Sequence, residues 1–381
     1  MQLAKLIASS DALKDVGATA ADRIANLTVV IRPPAFHPIP ALERRNVPAL
    51  ATEGDLAQWL RIPLQHLDWF TDERRTLHRE ARTALQHYTH TWLPKSDGSV
   101  RLIEAPKPRL RELQRRILHD ILDHLDQHDA AYGFVKKRSC ATAAAKHAGE
   151  DVVLTVDLKN FFLNAPLTRV HAIFRCLGYP HNVARVLTQL CSTATPLIAL
   201  DDQPIDFLTR QRFATQHLPQ GAPTSPALAN LVAQGLDRRL AGLARRFDAR
   251  YTRYADDLTF SGDAIFHRQV HVFLRAISEI VKDEGFALNT PKTRIMPRST
   301  RQTVTGVVVN DHINVPRPAY DALKATLTNC VRHGPASQNR DAHTDFRSHL
   351  DGRIAWVGSL NPRRGEKLRR IFEAITWPPA A

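Results

Sequence analysis

The chain has 381 residues, 43% hydrophobic and 24% charged, a mixture that excludes a fibrous or low-complexity protein and leaves room for a large core. With 52 Lys and Arg against 38 Asp and Glu the net charge is +14, so polyanions, nucleic acid first among them, are the natural partners; a merely solvated Arg-rich surface is the plain alternative. Cys140, Cys176, Cys191 and Cys330 stand far apart with no Cys-x-x-Cys pair, which argues against a zinc site and a disulfide framework. Met1 to Ala12 lacks a basic-then-apolar secretory pattern, and no stretch approaches the roughly 18 apolar residues of a membrane helix. A soluble cytoplasmic protein with no membrane association is expected.

In chain order, residues 1–30 read as a polar, Ala-rich helical lead, and the prolines from Pro33 to Pro48 as a linker or extended arm. Leu56, Trp59, Leu60, Leu64, Leu67 and Phe70 recur at near-helical intervals around Pro63, which predicts a small helical pair. Apolar runs at Trp92–Lys95 and Val100–Ile103 flank Asp97-Gly98, a β-hairpin signal. Leu110, Leu113, Ile117, Ile121, Leu122 and Leu125 then mark one face of a long amphipathic helix. Val152 to Val156 reads as a strand, 182–191 and 226–246 as helices, and 250–261 as a second hairpin. A helix through Phe273 and Ile277 leads to a short strand near Thr303 to Val309, and the remainder is helical and Arg-rich. Strands with helices on one face predict an α+β domain rather than a doubly wound one.

The sharpest chemical signal is Asp256-Asp257, two adjacent carboxylates between the β-prone runs Tyr251–Tyr254 and Leu258–Ser261. Like charges this close resist joint ionisation unless a cation neutralises them, although an ordinary Asp-Asp turn is the bland reading. Asp157, ending the predicted strand from Val152, supplies a third carboxylate. Three such groups can bridge a pair of ions about 4 Å apart and stabilise the attacking and leaving oxygens of a phosphoryl transfer. Hard oxygen ligands favour Mg²⁺, two ions of it.

These residues fall in an ordered series that resembles the reverse transcriptases, and within them the retron type. Arg101-Leu102-Ile103-Glu104-Ala105-Pro106 with Leu113–Leu118 resembles the fingers segment, and Gly133-Phe134-Val135-Lys136 the next block. Asp157-Leu158-Lys159-Asn160-Phe161-Phe162 resembles the first catalytic strand, Leu218-Pro219-Gln220-Gly221-Ala222-Pro223 the substrate loop, and Tyr254-Ala255-Asp256-Asp257 the signature turn. Gly285-Phe286-Ala287-Leu288-Asn289, Lys292-Thr293 and the retron-like triplet Val304-Thr305-Gly306 follow. One departure is Leu163-Asn164 after the Phe pair, where many relatives carry Pro-Ser.

The resemblance implies a right-hand polymerase: an N-terminal helical extension with a Pro-rich linker (1–90), fingers and palm (91–312), and a helical thumb that binds RNA (313–381). It implies that Asp157, Asp256 and Asp257 are the catalytic and metal-holding residues. Phe162 would lie under the sugar and select dNTPs, Gln220 and Gly221 would line the nucleotide pocket, and Lys95 and Arg101 would neutralise the triphosphate. Lys292 would be a general acid candidate for pyrophosphate. Arg363, Arg364, Arg369 and Arg370 in the basic tail are candidates to grip nucleic acid, with a solvated helix as the alternative. The retron type further implies a cognate non-coding RNA, an msDNA product in which short DNA is joined to RNA, an accessory effector protein and a role in antiphage defence. Three other readings compete. A group II intron or abortive-infection enzyme has the length against it in the intron case, an idle RNA-binding scaffold has the intact Asp set against it, and an RNA polymerase has Phe162 against it.

Overall fold

In the computed structural model the described residues are 34–72, 84–95 and 98–377. The expected helical lead at 1–30 and the Ser96-Asp97 half of the first turn lie outside them. The Pro-rich segment is not extended throughout, since Pro40–Leu42 forms a short 3-10 turn; just before it the backbone pairs with the end of a later helix, His37 N–H donating to Gly178 O at 2.9 Å and Ile39 N–H to Cys176 O at 3.1 Å. Next come α1 (Glu53–Leu60) and α2 (Gln65–Thr71), the expected pair. Thr52 and Asp55 form a reciprocal capping box that starts α1, and Leu56, Leu60 and Leu67 are buried.

The first hairpin, β1 (Tyr88–Pro94) with β2 (Val100–Pro106), pairs from Tyr88↔Pro106 to Pro94↔Val100, so it begins ahead of the boundary expected at residue 91. After it α3 (Pro108–Asp120) is shorter than predicted: Ile121 leaves helical geometry, while Leu122 stays buried in the same core. The apolar period there runs on through a 3-10 turn, Leu122–His124, and reports burial beyond the end of the α-helix. Then follow α4 (Cys140–Ala145), β3 (Val152–Asp157), α5 (Leu167–Cys176), α6 (His181–Leu190) and α7 (Phe207–Ala214). The long helix predicted over 226–246 is two, α8 (Ser225–Val232) and α9 (Gln234–Arg246), meeting at Ala233. β4 (Arg250–Tyr254) and β5 (Asp257–Gly262) form the second hairpin, followed by α10 (Ala264–Asp283). β6 (Arg294–Pro297) is an unpredicted strand, and Thr303–Val309 is a small hairpin of β7 (Thr303–Val304) and β8 (Val307–Val308). Three helices follow: α11 (Arg317–His333), α12 (Phe346–Leu360) and α13 (Pro362–Glu373).

The central sheet is antiparallel in the order β4-β5-β3-β6. Strand alternation splits β3 between two cores. Val152, Leu154 and Val156 join the main core with α3, α6, α8, α9 and α10. Val153 turns the other way, into a second core with Met296, Val304 and the C-terminal helices. On the main side Tyr251 stacks on Phe260 with centroids 4.8 Å apart, and Phe260 meets Phe273 of α10 edge-on at 5.0 Å.

Candidate active site

Antiparallel register brings the carboxylates together. Asp157 lies directly opposite Asp257 across β3 and β5. By strand alternation both side chains take the sheet face of Val153 and Thr155, opposite to the face that Leu154 and Val156 bury in the main core. Asp256 sits beside them in the two-residue turn, and its carbonyl accepts from Leu158 N–H at 2.9 Å. Asp157 is 8% exposed and the other two are partly buried. Burial first, then the charges of Asp256 and Asp157, pushes the Asp257 carboxyl up to about 6; Asp256 is raised as well, by burial and by Asp157. A divalent cation would relieve that repulsion.

The donor set suits a divalent metal ion: hard carboxylate oxygens that repel each other. As they stand, among the described residues no three His, Cys, Asp or Glu side chains converge as a metal cage. Asp157 instead accepts from Lys292 Nζ at 3.0 Å and from Asn289 Nδ2 at 3.2 Å. Lys292 is thereby placed in the site, on the carboxylate itself.

The turn is held from behind. Ala255 adopts a left-handed backbone (φ 55°), a conformation costly for a residue with a Cβ. Arg253, fully buried, donates to Ala255 O at 3.0 Å, to Asn230 Oδ1 at 2.8 Å, and through Nε and Nη2 to both oxygens of Asp237. Gly133 allows the block after β2 to close on the same turn, since a Cβ there would meet Ala255 N at 2.5 Å. Sequence reasoning misses Arg253, Asp237 and Asn230, because single polar residues on helices and strands read as solvated unless their burial is known.

A cleft of about 380 Å³ opens over the carboxylates and is lined by Asp157, Asp256, Phe162, Gln220, Lys95 and Arg101 among others. It gathers Lys95, Arg101, Phe162, Gln220 and Lys292 with Asp157 and Asp256, whereas Asp257 and Gly221 do not line it. Phe162 also touches Phe161 (5.6 Å) and Phe134 (6.0 Å), so it both lines the cleft and packs on the core. Gly221 has φ 136° and lies against Glu104 O, which a Cβ would meet at 2.8 Å. The tail arginines divide. Arg364 donates to Asn314 Oδ1 at 3.1 Å and covers the Tyr320 ring, and Arg369 is paired with Asp351. Arg363 and Arg370 are exposed on α13, outside the cleft over the carboxylates.

Residues 93–309 match the family model described as Reverse transcriptase (RNA-dependent DNA polymerase). Retron Mx65 reverse transcriptase of Myxococcus xanthus is 41% identical over 333 residues, covering 86% of this chain and 73% of that protein. Retron Mx162 reverse transcriptase of the same organism is 37% identical, covering 86% of this chain and 67% of that protein. Retron Ec86 reverse transcriptase of Escherichia coli is 34% identical, covering 60% and 64%. The chain therefore belongs to the reverse transcriptase family and, within it, to the retron reverse transcriptases. It is an RNA-directed DNA polymerase, with an RNA template and nucleotides as its partners. No described helix is long and apolar enough to cross a membrane.

Proposed function

We propose that the enzyme copies part of a cognate structured non-coding RNA into a short single-stranded DNA joined to RNA, in the cytoplasm, in antiphage defence with an accessory effector protein. The observation that carries the catalytic part is the register pair Asp157↔Asp257 with Asp256 in the adjoining turn. Asp157, Asp256 and Asp257 would hold two Mg²⁺, which when bound polarise the phosphoryl oxygens and stabilise the attacking and leaving oxygens. Around that centre Lys95 and Arg101 bind and orient the triphosphate, while Gln220 and Gly221 shape the pocket for base and sugar. Phe162 excludes a ribose 2′-OH by its bulk. Lys292 hands a proton to the departing pyrophosphate from Nζ, once released from Asp157.

Residues 91–312 form the fingers and palm in this reading, and 313–381 a thumb that grips the RNA. The C-terminal helices do share a core with Met296, Val304 and Val309, which supports a thumb seated firmly on the palm. Residues 1–90 are the N-terminal extension. The test is to purify the protein from cells carrying its neighbouring DNA and to sequence the bound nucleic acid. An RNA covalently continuous with short DNA complementary to part of it supports the proposal. Bound RNA without DNA, from an active enzyme, would contradict it.

A further inference from the structure

Outside the carboxylates, one buried charged pair stands between two elements that both reach the cleft. Glu104 on β2 is 1% exposed and His217, four residues before Gly221, is 2% exposed. His217 Nε2 lies 2.8 Å from Glu104 Oε2, and its Nδ1 lies 2.7 Å from Thr215 O. A carbonyl oxygen can only accept, so Nδ1 carries a proton; a carboxylate also accepts, so Nε2 carries one too. Thr195 Oγ1 donates to the other carboxylate oxygen at 2.8 Å. The arrangement is satisfied in full by an imidazolium and a carboxylate. Burial pushes Glu104 up, but His217 and Thr195 outweigh it and leave it below its ordinary value. Burial likewise works against the charge on His217, and Glu104 outweighs it and holds the imidazole above its ordinary value. His90, whose Nε2 is 3.8 Å from Glu104 and has no hydrogen-bond partner among the described residues, stays neutral, its pKa lowered by burial.

A buried ion pair contributes little net stability against an apolar substitute of the same shape, so its place in the molecule is the informative feature. The same Glu104 donates its backbone N–H to Gln220 O at 2.8 Å and presses its carbonyl against Gly221. His217 in turn exchanges backbone hydrogen bonds with Thr193 at 2.9 and 3.0 Å, and its ring meets Phe213, which meets Trp92 of β1. The finger hairpin and the Gln220 loop therefore touch through Glu104 by backbone and by side chain together.

We propose that Glu104 and His217 are positioning residues for the incoming nucleotide: their ion pair fixes the hairpin that carries Lys95 and Arg101 against the loop that carries Gln220. The proposal rests on the reading of Gln220 as a nucleotide contact. Both lie at the cleft wall but are almost fully buried, and their polar atoms are spent on each other, Thr195 and Thr215, so they act through the two walls and not on the substrate. Removing the pair loosens the spacing between the two walls of the nucleotide site and leaves Asp157, Asp256 and Asp257 on the separate β3–β5 pair.

The test is single-nucleotide extension of a primer on RNA with dNTP varied, using Glu104→Gln, His217→Gln, the double variant, Thr195→Val and Gln220→Ala. Each single variant of the pair should raise KM for dNTP about tenfold, with kcat within about threefold and primer–template affinity unchanged. The double variant should be no worse than the worse single one, since two amides can again hydrogen-bond. Thr195→Val keeps both charges and should raise KM severalfold; if the pair variants do not fold, it decides the matter alone. KM unchanged in the pair variants that fold, and in Thr195→Val, while Gln220→Ala raises it, overturns the positioning role and leaves the loop reading intact. KM unchanged in Gln220→Ala overturns the loop reading and the proposal with it. A fall in kcat alone, additive in the double variant, also overturns the proposal.

Discussion

Arg253 and Asp237 form a bidentate ion pair, Nε to Oδ1 at 2.8 Å and Nη2 to Oδ2 at 2.6 Å, with neither side chain exposed to solvent. The pair joins α9 to the strand that runs into the carboxylate turn. Asp237→Asn would leave the buried guanidinium short of a counter-charge and is expected to cost about 3–5 kcal/mol in denaturant unfolding. Arg253→Lys keeps the charge, but one ammonium cannot serve Asp237, Asn230 and Ala255 O at once. Primer extension should fall about a hundredfold, with primer–template binding retained. Full extension by the Lys variant would show that the turn holds its shape without the guanidinium fork.

Phe162 faces the cleft while resting on Phe161 and Phe134. Phe162→Ala should lower the ratio of dNTP to rNTP use by roughly a hundredfold, equivalent to about 2.7 kcal/mol of discrimination. Parallel incorporation assays with each nucleotide measure it. An unchanged ratio would return Phe162 to a packing role alone.

The basic tail separates into two pairs that can be tested against each other. Arg363→Gln with Arg370→Gln removes the exposed charges and should weaken RNA binding. The slope of log affinity against log salt should become shallower by about 0.7–0.9 for each phosphate no longer neutralised. Arg364→Gln with Arg369→Gln removes the bonds to Asn314 and Asp351 and should instead lower the melting temperature slightly, each bond being worth about 0.2–1 kcal/mol. Equal salt slopes in the exposed-pair variant and the wild type would move RNA recognition elsewhere on the chain.

His147 sets a pH dependence of stability. Its ring is buried between Ser261 Oγ at 2.7 Å and Thr252 Oγ1 at 2.8 Å, and burial, aided by Arg250, lowers its pKa from 6.5 to about 3. Between those values the unfolded chain binds the proton and the native chain does not, so this contribution is present above 6.5 and is lost as pH falls toward 3. In His147→Gln, stability should depend on pH less steeply by about 1.4 kcal/mol per unit within that window. Unfolding curves at several pH values provide the check, and equal slopes would contradict it.

What is local or periodic is legible in the sequence: both hairpins, the β3 run, the α1–α2 pair and the adjacent carboxylates. The helix break at Ala233 is not, because its one nearby signal, Gly235, is an isolated glycine of a kind that helices tolerate; the break accompanies a tertiary arrangement in which Asn230 and Asp237 meet one guanidinium. β6 is four residues long and is defined by its partner β3, far off in the chain. Charged residues such as Arg253, Glu104 and His217 resemble surface residues in a sequence, and only long-range packing reveals them as buried. The carboxylate set stands out because Asp256 and Asp257 are adjacent and Asp157 ends a clear strand, but their face-to-face register is a property of the sheet.

The most direct test of the catalytic assignment is primer extension on an RNA template by Asp256→Asn and Asp257→Asn, with RNA affinity measured alongside. Each change removes one charge at nearly constant shape. Extension should fall by about three powers of ten or more in both, with RNA affinity close to wild type. Extension above about a tenth of wild type in both variants would contradict the assignment of Asp157, Asp256 and Asp257 as the catalytic centre.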